Sequence, residues 1–294
     1  MKRAVIVKML VPVYLSLIAG VPTTLLAWII AAAAPLWRGP ALVLAIPVCC
    51  VAYVTVAGLL ARITLRSIVP GKFPRDVGHE VYGPRRLYAL CWTAVYYCQP
   101  VYHAVLAVPL FKRLTFRLFG YRGSLDFQTY PDTWLRDLPL LSLGAGAYLS
   151  NKATISPNMC LRNGKVIVQP VSIGSGTLIG HLTMIAPGVA IGDDSEVGVG
   201  AALGLNVRVG SRTLVDAETV VDHEARIGDR CVIGTRSYIG RRAVIMDGVK
   251  VPPATVIPAR TVIRTQADIA NLLGDYAAIA DELPFRQSQP LLSS

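Results

Sequence analysis

Residues 173–208 read IGSGTL IGHLTM IAPGVA IGDDSE VGVGAA LGLNVR, and each group of six begins with Ile, Val or Leu. The same spacing continues without a miss to Ile263. Glycine often follows the aliphatic residue, and the fifth position is always small or β-branched. Glycine, valine and threonine in this pattern favour short strands joined by turns rather than a helix. The period of six therefore predicts a solenoid, in which each repeat covers the apolar face of its neighbour.

The part of the chain before these repeats has a different composition. Of the 294 residues, 53% are hydrophobic and 16% are charged, and the net charge is +11. Residues 1–142 carry 15 basic and 5 acidic residues, whereas residues 143–294 carry 14 and 13. Cations concentrated beside apolar segments are typical of a membrane surface, whereas a nucleic-acid-binding protein would carry them on its folded repeats. The composition therefore predicts membrane lipids, and no nucleic acid, as partners.

Two apolar runs, residues 10–34 and 41–61, are each long enough to cross a bilayer. A cleaved signal peptide is the alternative for the first run, but its length and the closely following second run favour a helical hairpin. Six cations follow the second run and one lies in the joint, which places both ends of the hairpin in the cytoplasm. A third apolar stretch, residues 87–110, is interrupted by Pro100 and Pro109. We predict interfacial or re-entrant helices there, with a third span as the alternative.

The repeats resemble the hexapeptide-repeat family of left-handed β-helices, many members of which are acyltransferases. The resemblance implies that three hexads form one triangular coil, so that residues 173–262 form five coils and residues 143–160 about one more. We therefore expect a mainly β fold, a left-handed parallel β-helix of about six coils preceded by an α-helical membrane region. The pairing with an apolar N-terminal region also resembles the membrane-embedded terminal segments of some nonribosomal peptide and polylysine synthetases.

This organisation predicts four segments. Residues 1–119 form a membrane-anchoring helical region, residues 120–142 a linker that docks the β-helix or contributes to a site, and residues 143–263 the β-helix. Residues 264–294 form a short C-terminal capping helix and a tail that we expect to be disordered from Pro284. Residues 161–170 (LRNGKVIVQP) break the register and are either a substrate-covering loop or a harmless insertion.

Two histidines occur in the repeats, His181 and His223, each third in its hexad. The hexad VDHEAR, which contains His223, resembles the histidine hexad of sugar-amine acetyltransferases of this superfamily, and its Asp-His step resembles that of serine acetyltransferases. The resemblance implies a histidine general base, with Asp222 or Glu224 to fix the imidazole tautomer. A surface histidine in a strip of ion pairs is the alternative. His181 has no acidic neighbour in the sequence and remains a second candidate, on a different face because seven hexads separate it from His223.

Three arginines lie near His223 in the coil register. Arg241 follows His223 by one coil of three hexads, Arg242 adjoins it, and Arg260 lies one coil beyond Arg242. Guanidinium groups beside the base can hold the phosphates of acyl-coenzyme A, the co-substrate that we expect, and solvated surface charge is the alternative. We expect no permanently bound cofactor and no metal, because a zinc carbonic anhydrase of this fold would need three histidines around the ion and the repeats contain two.

The resemblance further implies a homotrimer with sites between the β-helices. One departure concerns the base, which many hexapeptide acetyltransferases place before the protruding loop. The corresponding residues here, 155–158, contain no histidine.

The predicted function is transfer of an acyl group, most simply acetyl, from coenzyme A to a hydroxyl or amine. The acceptor would be a small molecule or lipid-linked group near the cytoplasmic membrane, because a membrane anchor raises the local concentration of such acceptors. The β-helix would face the cytoplasm. A non-catalytic β-helix that serves as a scaffold or binding module at the membrane is the alternative.

Overall fold

The N-terminal part of the chain is helical. The structure, a computed structural model, describes residues 2–282. Its α-helices are α1 (Lys2–Ala32), α2 (Arg38–Thr64), α3 (Tyr82–Tyr97), α4 (Gln99–Ala107), α5 (Pro109–Leu118) and α6 (Gln266–Glu282), and short 3-10 turns cover Pro35–Trp37, Leu65–Ser67 and Leu138–Leu140. Helices α1 and α2 pack against each other as a hairpin. Within the described residues, these two helices are the ones long and apolar enough to cross a membrane.

The third apolar stretch forms three short helices rather than one long helix. Breaks occur at Cys98 and Val108, because Pro100 and Pro109 occupy the first turns of α4 and α5. Trp92 of α3 is buried and makes edge-to-face contacts with rings of α4, α5 and the turn that follows. These helices therefore pack inside the protein, against the hairpin and the start of the β-helix.

The second part of the chain is a parallel β-helix with three faces, each made of seven short strands. Face 1 contains β2 (Phe127–Thr129), β5 (Ala147–Leu149), β10 (Leu178–Ile179), β13 (Glu196–Val197), β16 (Leu214–Val215), β19 (Val232–Ile233) and β22 (Lys250–Val251). Face 2 contains β3 (Trp134–Leu135), β6 (Thr154–Ile155), β11 (Met184–Ile185), β14 (Ala202–Leu203), β17 (Val220–Val221), β20 (Tyr238–Ile239) and β23 (Val256–Ile257). Face 3 contains β4 (Leu141–Leu143), β9 (Val171–Ile173), β12 (Ala190–Ile191), β15 (Arg208–Val209), β18 (Arg226–Ile227), β21 (Val244–Ile245) and β24 (Val262–Ile263).

The strand register confirms the predicted repeat. Leu178 pairs with Glu196, and Ile179 pairs with Val197, so neighbouring coils are offset by three hexads. The aliphatic residue that begins each hexad points into the β-helix and is buried. The predicted mainly β fold, with a helical region before the β-helix and a short helix after it, is therefore confirmed.

The β-helix begins earlier than predicted. Its first coil starts at Phe127, inside the segment expected to be a linker, so that there are seven coils instead of about six. This coil is longer than the others, because Phe127 pairs with Ala147, an offset larger than the three hexads of the regular coils. The first coil thus includes residues of the segment 120–142 as well as residues after 143.

The register break is a β-hairpin that leaves the corner between faces 2 and 3. Its strands are β7 (Asn158–Cys160) and β8 (Lys165–Val168), which pair in antiparallel fashion. Strand β1 (Gly71–Pro74), from the helical region, pairs with the other edge of β8. A small three-stranded sheet therefore ties the helical region to the β-helix.

Helix α6 lies on the last coil. Ile269 is buried against the core, and the side chain of Gln266 donates to the Lys250 carbonyl (2.8 Å) and accepts from the Lys250 amide (3.0 Å). The amide side chain thus occupies hydrogen-bonding groups that the last strand of face 1 would otherwise leave open. Side chains beyond Asp275, and the tail predicted to be disordered from Pro284, lie outside the described part of the chain.

Candidate functional site

The candidate site lies at the corner between faces 2 and 3, one of the three bends of the fifth coil. Strand β17 ends at Val221, and β18 begins at Arg226. Val221 and Ala225 point inward and are buried, so the three residues between them are turned toward the surface. Glu224 adopts the left-handed conformation (φ 64°) that closes the bend. The hexad therefore presents Asp222, His223 and Glu224 together on one corner.

The imidazole of His223 is held by the preceding coil. The backbone amide of Leu205 donates a hydrogen bond to Nδ1 at 3.0 Å, and the side chain is 37% exposed. A nitrogen that accepts a hydrogen bond carries no proton, so the neutral ring has its proton on Nε2 in this arrangement. The ring also fits closely over Gly204, where an added Cβ would lie 2.4 Å from Nδ1.

Asp222 is the carboxylate that lies beside the imidazole. Its Oδ1 accepts a hydrogen bond from the His223 amide (2.6 Å) and lies 3.4 Å from Nδ1, and its Oδ2 accepts from the Tyr238 hydroxyl (3.0 Å). Partial burial alone would raise the pKa of Asp222, but these hydrogen bonds and the positive charge of Arg241 outweigh it and lower the pKa.

Glu224, the other carboxylate considered from the sequence, has a different partner. It accepts a hydrogen bond from Nε of Arg242 at 2.7 Å. That hydrogen bond lowers the pKa of Glu224. Asp222, rather than Glu224, is therefore placed to interact with the ring of His223.

The three arginines expected near His223 follow the coil register. The Arg242 amide donates to the His223 carbonyl (3.0 Å), and the Arg260 amide donates to the Arg241 carbonyl (2.8 Å). These bonds stack Arg241 on His223, about 4.8 Å away by strand spacing, and place Arg260 one coil further on. All three arginine side chains are exposed.

A groove of about 510 Å³ runs along face 3 beside this corner. Arg242 and Glu224 line it, together with Arg208 and Arg226, which are paired directly across neighbouring strands. Like charges directly opposite each other on a sheet are destabilising unless an anion or other partner lies between them. Sequence reasoning missed Arg208 and Arg226, although their separation by exactly one coil of three hexads was a usable signal.

His181 lies at another corner. It follows β10 and precedes β11, so it is placed between faces 1 and 2, and it does not share a site with His223 within one chain. The ring of His181 forms no hydrogen bond with any residue among 2–282. In the same part of the chain, no group of three or more His, Cys, Asp or Glu side chains is arranged to hold a metal ion.

The hairpin β7–β8 protrudes from the same corner as His223 but three coils earlier, about 14 Å away by strand spacing. Before the hairpin, where the family resemblance would place a base, the Ser156 hydroxyl donates to the Asn158 carbonyl at 2.6 Å. Residues 155–158 include no ionisable side chain that could replace a histidine, so His223 remains the candidate base at this corner.

Comparison with known proteins identifies the repeat. Residues 170–204 and 224–251 match the family model described as the hexapeptide repeat of succinyl-transferase. No match was found among curated proteins.

Several solved structures are similar in fold. A mutant of perosamine N-acetyltransferase from Caulobacter crescentus, in complex with CoA and GDP-perosamine, is 22% identical over 31% of this chain and 44% of its own, with a TM-score of 0.31. The acetyltransferase domain of PglB from Neisseria gonorrhoeae, in complex with acetyl coenzyme A, is 17% identical over 51% of this chain and 66% of its own (TM-score 0.37). UDP-N-acetylglucosamine acyltransferase from Campylobacter jejuni is 19% identical over 49% and 60% (TM-score 0.27). The chain thus spans less than two thirds of each of these proteins.

Proposed function

We propose that this chain is a membrane-anchored acyltransferase that moves an acyl group, most simply acetyl, from coenzyme A to a hydroxyl or amine. The observation that carries the proposal is the corner at His223, where an imidazole lies beside the Asp222 carboxylate and the adjacent Glu224 lines an arginine-rich groove. The match of the repeats to a succinyl-transferase hexapeptide model supports the same class of reaction.

In this proposal His223 is the general base. The acceptor oxygen or nitrogen attacks the thioester carbonyl while Nε2 takes its proton. The C–S bond then breaks, and the proton passes from Nε2 to the departing thiolate. For Nε2 to accept a proton, the ring proton must sit on Nδ1. Asp222 Oδ1, 3.4 Å from Nδ1, is the acceptor for that proton once the bond from the Leu205 amide is released.

Acyl-coenzyme A would bind as a co-substrate along the groove on face 3. Arg208 and Arg226 would contact its phosphates, since guanidinium groups bind phosphate oxygens in pairs. Arg242 lines the same groove and would also contact the co-substrate. The positive surface would extend along the β-helix through Arg241 and Arg260, one coil apart. No permanently bound cofactor is required by this chemistry.

The acceptor would be a lipid-linked or small molecule at the cytoplasmic membrane. Helices α1 and α2 supply the proposed anchor within residues 1–119, and the excess of basic residues in this part of the chain supports a cytoplasmic position for the β-helix. Membrane lipids would then contact the helical hairpin of α1 and α2. In a homotrimer, neighbouring β-helices would lie beside each corner.

The test of the proposal compares two histidine variants in the full chain, purified in detergent. Release of the coenzyme A thiol from acetyl-coenzyme A is measured with a panel of amine and hydroxyl acceptors, including a membrane lipid extract. We expect His223→Ala to lower kcat by a factor of about 10² to 10⁴, as is usual for loss of a general base. The matched control His181→Ala should keep the wild-type rate. Equal turnover by wild type and His223→Ala would contradict the assignment.

A non-catalytic scaffold or binding module is the second candidate. The hydrogen bond from the Leu205 amide to Nδ1 supports this second candidate, because it gives the imidazole a structural role in joining two coils at the corner. The ion pairs Glu218–Arg236 and Glu224–Arg242 join successive coils in a similar way. Isothermal titration with acetyl-coenzyme A separates the two candidates. A scaffold would bind no coenzyme A and would retain a protein partner on purification, whereas an enzyme would bind it and lose affinity in Arg208→Gln/Arg226→Gln.

A further inference from the structure

A second basic cavity lies where the helical region meets the β-helix. It has a volume of about 400 Å³, and its walls come from the start of α3, the first coil and the hairpin β7–β8. Four arginines line it: Arg75, Arg85, Arg86 and Arg136. No acidic side chain lines it within the described part of the chain.

Arg85 is the buried member of this group. It is 5% exposed and pairs with Asp137, which is 4% exposed and also accepts a hydrogen bond from the Asn158 side chain. The other terminal nitrogen of Arg85, Nη1, is buried and has no hydrogen-bond partner. Burial lowers the pKa of Arg85, and the neighbouring charge of Arg136 lowers it further. A buried cation with an unused donor is costly, and an anion in the cavity would relieve that cost.

Within residues 2–282, no described carboxylate pairs with the other three arginines. Arg75 donates from Nε to the Tyr82 hydroxyl at 3.3 Å, and Arg136 lies over the ring of Trp134 at 5.9 Å. The side chain of Arg86 makes no hydrogen bond or ion pair with any described residue. Among the described residues, Asp137 is therefore the single carboxylate paired with any of these four guanidinium groups, and the cavity has a strong net positive charge.

We infer that this cavity is a binding site for a phosphate group, as a phosphomonoester or a diphosphate. Guanidinium groups present paired N–H donors that match phosphate oxygens, and several around one cavity neutralise a doubly charged group. The amide of Asn158 and the hydroxyl of Tyr82 lie in the same walls and supply neutral donors. The site is distinct from the corner at His223, which lies three to four coils away, about 14–19 Å by strand spacing, so the inference does not depend on acyl transfer.

The position of the cavity suggests two sources for the phosphate. Strand β1, which ends next to Arg75, begins shortly after Ser67, where the second apolar helical segment ends. The start of α1 lies at the same end of the helical hairpin α1–α2, since Arg3 pairs with Glu80 at 3.8 Å. If the hairpin spans the membrane, a phosphate carried on a lipid reaches the cavity from the membrane surface. A soluble phosphate ester reaches it from the aqueous side.

Cys160 provides a local readout of binding. It is exposed and lines the cavity, whereas Cys91 and Cys231 are buried. The full chain in detergent is treated with a maleimide, and the rate of modification at Cys160 is read by peptide mass spectrometry with and without inorganic pyrophosphate. We expect pyrophosphate to slow modification about tenfold, because the bound anion covers this wall of the cavity. Each variant is compared with itself, with and without the anion.

The matched variants locate the effect. Arg86→Gln/Arg136→Gln removes two cavity charges without touching the buried Arg85–Asp137 pair, and it should abolish protection. Arg162→Gln, in the turn of the same hairpin but outside the cavity, should retain protection. Equal protection in both variants would overturn the inference.

A second arm distinguishes the sources. The protein is placed in nanodiscs of phosphatidylcholine alone or of phosphatidylcholine with phosphatidic acid. Protection by phosphatidic acid without pyrophosphate, lost in Arg86→Gln/Arg136→Gln, would identify a lipid phosphate. Protection by pyrophosphate alone would identify a soluble phosphate ester. Absence of protection in both arms rejects the site, whatever the result of the acetyl-coenzyme A assay.

Discussion

At the scale of single residues, the backbone hydrogen of Leu205 decides where the proton of the His223 ring lies. While that hydrogen is donated to Nδ1, Nε2 carries the proton and acts as a donor. When the ring proton instead bridges Nδ1 and Asp222, Nε2 is free to act as a base. Both partners lie close to Nδ1, since Leu205 N is 3.0 Å away and Asp222 Oδ1 is 3.4 Å away. A small movement of the ring would therefore exchange one hydrogen bond for the other.

Gly204 gives the first residue-scale prediction. A Cβ at this position would lie 2.4 Å from Nδ1 and 2.9 Å from the backbone nitrogen of His223. We expect Gly204→Ala to displace the ring and to lower acetyl-coenzyme A turnover at least about tenfold, with a stability loss of about 1–3 kcal/mol from overpacking. The control is Gly198→Ala, at the corner between faces 1 and 2, where the added Cβ would crowd Ala217 instead. Similar turnover in the two variants, at similar melting temperatures, would contradict the prediction.

Asp222 gives a pH-dependent prediction. Its pKa is lowered in the folded protein, because the hydrogen bonds from His223 and Tyr238 outweigh the opposing effect of burial. Its ionised form therefore adds to the free energy of unfolding above the unfolded pKa of about 3.9, and this contribution is lost as the pH falls through the lowered folded value. We expect Asp222→Asn to be less stable than wild type at neutral pH, and the difference to shrink below about pH 4.

Thermal melts between neutral and acidic pH measure this difference. Tyr238→Phe removes one of the hydrogen bonds and should reproduce part of the effect. A stability difference that stayed constant across the whole pH range would show that the charge of Asp222 is not involved.

At the scale of elements, the β-helix is held by columns of hydroxyl groups inside its corners. Thr177, Ser195 and Thr213 occupy one column, and each donates to the carbonyl of a glycine in the next coil, at 2.7–2.8 Å. Each hydroxyl also accepts from the amide of the residue one coil further on, as Ser195 does from Thr213. The fifth position of the hexad is therefore small because it packs in the corner, and often hydroxylated because the corner contains backbone groups that need partners.

Thr213 tests this column. Its hydroxyl donates to the Gly228 carbonyl and accepts from the Cys231 amide at 3.1 Å, and the residue is buried. We expect Thr213→Val, which keeps the shape, to lower the free energy of unfolding by about 1–3 kcal/mol because it leaves buried polar groups unpaired. Thr213→Ser is the control, since it keeps the hydroxyl. A smaller loss for the valine than for the serine variant in thermal or urea unfolding would argue that shape, rather than hydrogen bonding, decides this position.

The sequence predicted the elements wherever the hexads are regular. From Ile173 onward each aliphatic position was assigned to the interior, and the strand register agrees. The first coil was missed because it is longer, with Trp134 paired to Thr154 at a separation larger than three hexads. The strands of the first coil are held by packing against α3, and the hexad pattern contains no information about that contact.

The candidate site was predicted in part. Residue spacing stacks Arg241 on His223, and it also pairs Arg208 with Arg226 across face 3. Spacing does not specify, however, which neighbour an outward-facing side chain will contact. Small differences in distance determine that Asp222 lies beside the His223 ring and that Glu224 pairs with Arg242. The same is true of the hydrogen bond from the Leu205 amide to Nδ1. The basic cavity likewise combines residues from segments far apart in the chain.

At the scale of the whole molecule, α3 joins the helical region to the β-helix. The indole of Trp92 donates to the Leu135 carbonyl of the first coil at 2.6 Å, and the same ring packs against Phe116 and Phe119. On the other side, α2 approaches α5 closely, since a Cβ at Gly58 would lie 2.7 Å from Leu118. One continuous core therefore runs from the apolar hairpin into the repeats, and the position of the hairpin determines where the β-helix stands.

That continuity makes the proposed anchor testable by charge placement. Val48 and Val51 are exposed apolar residues in the central part of α2, and Ile63 and Val69 are exposed apolar residues near or beyond its end. If α2 crosses the bilayer, an arginine near its centre costs about 2.5–3.5 kcal/mol, whereas one beside the headgroups costs little. We expect Val48→Arg/Val51→Arg to lower the fraction of protein that remains in membranes after an alkaline carbonate wash, and Ile63→Arg/Val69→Arg to leave it unchanged. Equal retention of both variants would place the exposed apolar surface of α2 against another protein surface rather than lipid, and the β-helix would then have to reach its acceptor without a membrane anchor.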